Sequence, residues 1–73
     1  MKLNEGLEQE TYKIKKINLN DEELKSFLFS LGCYEGENIT IISNKKRILT
    51  IVIKDSRYSI DSQMAKEIEV EKL

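Results

Sequence analysis

The chain predicts a small, mainly β fold: five short strands with one helix, curled into a closed or nearly closed barrel with the helix across one end. Three observations carry this expectation. A length of 73 residues allows one domain, expected over residues 1–73, and folding at this size buries only about 60 to 65% of the unfolded surface, so the core must be small. Alternating apolar positions recur in TYKIKKI, ENITIISN, RYSID and EIEVEKL, ILTIVIK adds a strand-length run that is almost wholly apolar, and one helical-period run lies between the first two. Five such strands would not be stable as a flat open sheet at this size, which favours curling. Pattern alone leaves a small open α+β sandwich as the alternative.

The first strand is expected at Thr11 to Ile17, with Tyr12 and Ile14 on one face and lysines on the other. The helix follows. Asn20 is placed to cap it, Glu23 stands where a capping box needs an acid, and Leu19 can staple onto Leu24. Leu24, Phe27, Leu28 and Leu31 fall at i, i+3, i+4 and i+7, the spacing of one buried stripe. Gly32 is the expected stop, since glycine just past the last periodic residue adopts the left-handed conformation at little cost.

After Gly36 the period changes to two. Ile39 and Ile41 share a face, NKKR reads as a turn, and ILTIVIK, apolar on nearly both faces, reads as a central strand. Asp55-Ser56 is expected to turn the chain into a fourth strand carrying Tyr58 and Ile60. SQMAK reads as one helical turn, and Ile68 and Val70 alternate with glutamates as in an edge strand.

Composition excludes several classes. The chain is 40% hydrophobic and 34% charged, as suits a globular domain. No apolar run approaches the roughly 18 residues of a membrane span, and MKLNEGLEQE lacks the apolar core of a signal peptide, so a cytoplasmic, not membrane-inserted protein is expected. Twelve basic residues against thirteen acidic ones argue against broad nucleic-acid binding. Lys45-Lys46-Arg47 is the one basic cluster, and a solvated hairpin tip accounts for it.

Catalytic chemistry is poorly supported. The chain has no histidine, so Cys33, the only cysteine, has no Cys-His partner and no serine has the usual base. Glu22 and Glu23 favour the helix dipole, Glu67, Glu69 and Glu71 alternate along a strand, and the three glycines fit no phosphate loop. No enzyme activity and no cofactor are expected. A tight transition-metal site is disfavoured with one thiol and no imidazole, although carboxylates at Glu69 and Glu71 or at Asp21 and Glu22 could hold a metal weakly. Cys33 is expected to be a buried, inert thiol. What remains is binding through surface. Phe29 lies away from the Leu24, Leu28 and Leu31 stripe, so it either packs under a loop or marks a contact, and Tyr34 shares that ambiguity.

The run Leu28-x-x-Leu31-Gly32-x-x-x-Gly36-x-x-Ile39-x-Ile41 resembles the Leu-x-x-Leu-Gly-x-x-x-Gly core of the ferrous iron transport protein A (FeoA) family. Tyr58-Ser59-Ile60, Met64-Ala65 and Ile68-x-Val70 are similar to that family's closing segment. The sequence departs from the pattern at Glu35, where the family usually has proline, at Asp55, where a turn glycine is common, and near Glu10, where a Pro-Gly is missing. The resemblance implies an SH3-like barrel and a small cytoplasmic accessory that binds or regulates the ferrous iron permease FeoB at the cytoplasmic membrane face. It points to Leu28 and the Gly32 to Gly36 turn, with Cys33 inside it, as the contact surface or its support. With Phe29 and Tyr34, the candidate partner-binding set is Leu28, Phe29, Gly32, Cys33, Tyr34 and Gly36.

Two other readings compete. Similar SH3-like domains close the metal-dependent repressors, so a free-standing regulatory interaction module, weakly metal-binding, is the alternative. A small RNA-binding barrel using Lys13, Lys15, Lys16 and the Lys45 to Arg47 tip is disfavoured by the near-neutral charge. Self-association is left open.

Overall fold

Alternating burial along each strand decides the architecture of the computed structural model, which describes residues 1–73. A short 3-10 turn, Leu3–Glu5, precedes β1 (Thr11–Ile17), α1 (Glu22–Ser30), β2 (Asn38–Asn44), β3 (Ile48–Ile53), β4 (Ser56–Asp61), the single-turn α2 (Ser62–Ala65) and β5 (Ile68–Lys72). All strand pairs are antiparallel, and the sheet order is β4-β3-β2-β1-β5. Tyr12 and Ile14 of β1, Ile39 and Ile41 of β2, Leu49, Ile51 and Ile53 of β3, Ile60 of β4, and Ile68 and Val70 of β5 all point into one core. Leu3, Leu28, Cys33 and Ala65 complete it.

The sheet curls without closing, because β4 and β5 do not pair. Two register shifts help the curl: one between Ile14 and Lys16 where β1 meets β5, one between Ile41 and Ser43 where β2 meets β3. An extra residue on one strand bends it and increases its twist. The ILTIVIK strand is interior, but β2 is the middle strand, since the β3–β4 hairpin places β4 on the edge. The turn of that hairpin is Lys54-Asp55, one residue earlier than expected, with φ of +49° and +70°. Positive φ at both central residues is what a two-residue hairpin matched to strand twist requires.

The helix corrects three expectations. Asp21, not Asn20, is its cap: the Asp21 carboxylate accepts from the N–H groups of Glu23 (2.9 Å) and Leu24 (3.2 Å). A charged acceptor serves the positive helix end better than an amide, and the start shifts by one residue accordingly. Leu19 packs against the core cluster, and with the cap at Asp21 the staple position passes to Asn20. Nor is the four-residue stripe buried as a whole. Leu28 is fully enclosed and Leu31 half-buried, whereas Leu24 and Phe27 stay 36% and 47% exposed. The helix meets the barrel through its C-terminal turn, and its first turn overhangs.

The amino-terminal segment contributes more than its sequence suggests. Leu3 is fully buried, and Gly6 is pressed so close to Ile41 and Tyr12 that an added Cβ would come within 2.9 Å of the tyrosine ring. The Leu7 N–H donates to the Tyr12 hydroxyl at 2.9 Å, and the Asn44 amide donates to the carbonyls of Asn4 (3.2 Å) and Gly6 (2.8 Å). These bonds satisfy backbone groups of Asn4, Gly6 and Leu7, which lie outside the strands.

Candidate functional site

The corner between α1 and β2 is built from two consecutive backbone motifs. At the helix end, the Gly32 N–H donates to the Phe29 carbonyl (2.9 Å) and the Cys33 N–H to the Leu28 carbonyl (2.9 Å), with Gly32 at φ +91°. This is the paired arrangement of a Schellman stop, whose usual companion is an apolar contact between the two outer residues. Leu28 and Cys33 supply that contact, both 0% exposed. The Glu37 N–H then donates to the Tyr34 carbonyl (3.1 Å), with Gly36 at φ +91° in the third position of the turn. A type II turn demands a left-handed residue there, so the turn forms with Glu35 in place of proline. The Gly36 N–H bonds to the Ile14 carbonyl (2.8 Å) and the Ile14 N–H to the Glu37 carbonyl (2.9 Å), tying the corner to β1.

The corner presents an aromatic pair. Phe29 is 58% exposed, and its ring centroid lies 5.7 Å from that of Tyr34 at an interplanar angle of 30°. Offset aromatic pairs in this range add attraction beyond their buried area. Lys54 reaches over from the β3–β4 turn: its stem crosses Gly32, its ammonium pairs with Glu37, and its Nζ lies 5.4 Å from the Tyr34 ring centroid. Hydrogen bonding to Glu37 first, and then to Tyr34, raises the Lys54 pKa above its ordinary value. Beside the pair lies a cleft of about 380 Å³ lined by Ile17, Lys25, Phe29, Tyr34 and Glu35.

Of the residues expected to touch a partner, Phe29, Tyr34 and Gly36 are accessible. Leu28 and Cys33 are sealed in the core and Gly32 is buried under Lys54, so these three support the corner from beneath. Burial pushes the Cys33 thiol up to about 11, which keeps it neutral and unreactive. Glu35 lies within the Gly32 to Gly36 turn that the sequence pointed to, whereas sequence reasoning missed Ile17, Lys25, Glu37 and Lys54. Only the fold brings them together.

No three His, Cys, Asp or Glu side chains form a metal-ligating group. Two of the four carboxylates considered for metal have structural duties: Asp21 caps α1, and Glu69 accepts from the Asn18 amide at 3.1 Å, which holds its carboxyl below the usual range. No helix is long and apolar enough to cross a membrane.

A family model described as FeoA domain matches residues 1–72. The chain belongs to the FeoA domain family. It is 35% identical over 60 residues to a Helicobacter pylori protein named as an Fe(2+) transport protein A, a match covering 82% of this chain and 77% of that one. Among solved structures, the iron(II) transport protein A of Clostridium thermocellum superposes with a TM-score of 0.88 at 25% identity, covering all of this chain and 46% of that chain. A crystal structure titled iron uptake regulatory protein (FeoA) gives 0.87 at 22% identity and is covered to 96%. A manganese-dependent transcriptional repressor gives 0.91 at 16% identity, with this chain spanning 41% of its length. The fold is therefore the SH3-like one shared by FeoA proteins and repressor domains, with its sheet left open, and the relatives' names tie the family to ferrous iron transport.

Proposed function

We propose that this FeoA-domain chain is an accessory of ferrous iron uptake that binds the cytoplasmic side of the permease FeoB and performs no chemistry of its own. The observation that carries the reading is the exposed Phe29, paired with the half-buried Tyr34 beside its cleft and held by a corner whose backbone is fixed at both ends. Exposed aromatics on a rigid support are the usual anchors of protein interfaces. They lose little side-chain entropy on binding and bring much apolar area. Lys25 and Glu35 at the rim add polar groups that set orientation. Binding of the solubilised permease to wild-type chain and to Phe29→Ser tests this reading. The variant should keep its fold and lose most of its affinity, and undiminished binding would reject the corner as the contact.

The superposition on the manganese-dependent repressor favours a second reading, a free-standing regulatory module that contacts another domain through the same corner. That reading predicts no binding to the permease in any nucleotide state.

A further inference from the structure

The two edges of the sheet are finished differently. Along β5, residues 1 and 2 extend the ladder: the Val70 N–H donates to the Met1 carbonyl (2.8 Å), the Met1 amino group donates to the Val70 carbonyl (3.2 Å), and Lys2 bridges to Glu69. Nothing in the chain does this for β4. The two-residue turn makes Ile53 and Ser56 a hydrogen-bonded pair, and the ladder bonds then recur at Tyr58 and Ile60. Arg57 and Ser59 therefore direct their N–H and C=O groups away from β3, and no other part of the chain bonds to them.

An unpaired edge is a template for another strand, and isolated charges along it normally oppose pairing. Here the charges are of opposite sign and symmetric about the middle of the strand. Arg57 and Asp61 are exposed, lie on the same solvent face and flank Ser59 at equal distance. We propose that β4 is a self-association edge, two copies pairing their β4 strands antiparallel about a two-fold axis at Ser59. In that register the two Ser59 residues exchange N–H···O=C bonds, and each Arg57 lies opposite Asp61 of the second copy. Each half-buried Tyr58 lies opposite Ile60 of the second copy. Registers centred on Arg57 or Asp61 set like charges against each other, so charge selects this one. Asp61 uses Oδ1 to cap α2 at 2.7 Å from the Met64 nitrogen, which leaves Oδ2 for the cross-strand pair. The dimer leaves the Phe29 corner free, since the corner belongs to other elements.

Sedimentation velocity of the full chain at low salt, from micromolar to near-millimolar concentration, tests the proposal. A reversible monomer–dimer equilibrium that weakens with salt is expected, with concentration-dependent amide shifts confined to residues 56–61. Arg57→Glu places carboxylates opposite each other twice and should weaken the dimer by about tenfold or more. Ser59→Pro removes an outward N–H that makes no bond within the chain, so it should abolish the dimer and leave the monomer folded. If the proline variant fails to fold, Arg57→Glu decides the matter. A chain that stays monomeric at every concentration, or a dimer that Arg57→Glu leaves unchanged, overturns the proposal.

Discussion

Gly32 carries two constraints at once. Its φ of +91° disfavours any side chain, and an added Cβ would sit 3.0 Å from the Lys54 stem carbon. Gly32→Ala should cost about 1 kcal/mol or somewhat more, read by chemical denaturation. Asp55 is the opposite case, a non-glycine residue already at φ +70° with an exposed side chain. Asp55→Gly relieves that strain and should raise stability by up to about 1 kcal/mol in the same measurement. Cys33 supplies a pH dependence. Its thiol is driven from 9.0 to about 11 by burial, so the folded state holds its proton more tightly than the unfolded state. Its contribution is complete below pH 9 and is lost as pH rises through 11, by up to about 3 kcal/mol. Cys33→Ala should lose that alkaline slope, seen in denaturation midpoints taken between those pH values.

Strand positions could be read from the sequence because burial alternates with the period of the chain. β1 lies at Thr11–Ile17 as expected, and Ile39, Ile41, Ile60, Ile68 and Val70 face inward as their spacing required. The helix was harder. Spacing shows which residues share a face but not how much of the barrel end there is to cover, so Leu24 and Phe27 remain exposed beside the enclosed Leu28. Leu3 could not be recognised at all, since one leucine in MKLNEG carries no period and its burial depends on contacts distant in sequence. Half of the corner was visible: Phe29, Tyr34 and the two turn glycines stand in one local run, whereas Ile17 and Lys54 arrive from β1 and the β3–β4 turn. Energetics should follow burial. Leu28→Ala is expected to cost about 2–5 kcal/mol, whereas Phe27→Ser should lie within about 0.5 kcal/mol of wild type, both by thermal or chemical unfolding.

The molecule as a whole spans only 29 × 24 × 23 Å, with one core and one corner where aromatic surface is exposed on a fixed support. That arrangement suits a protein that acts by being bound. Leu28, Gly32 and Cys33 hold the corner from inside, and in the proposed function Phe29 and Tyr34 are the residues that meet the partner. An amide NMR titration of the chain with detergent-solubilised FeoB, nucleotide-free and bound to a GTP analogue, separates the two readings. Saturable shifts at Lys25, Phe29, Tyr34 and Glu35, much weakened in Phe29→Ser, are the expected result. Shifts absent in both nucleotide states, or located elsewhere and unaffected by Phe29→Ser, would contradict the account.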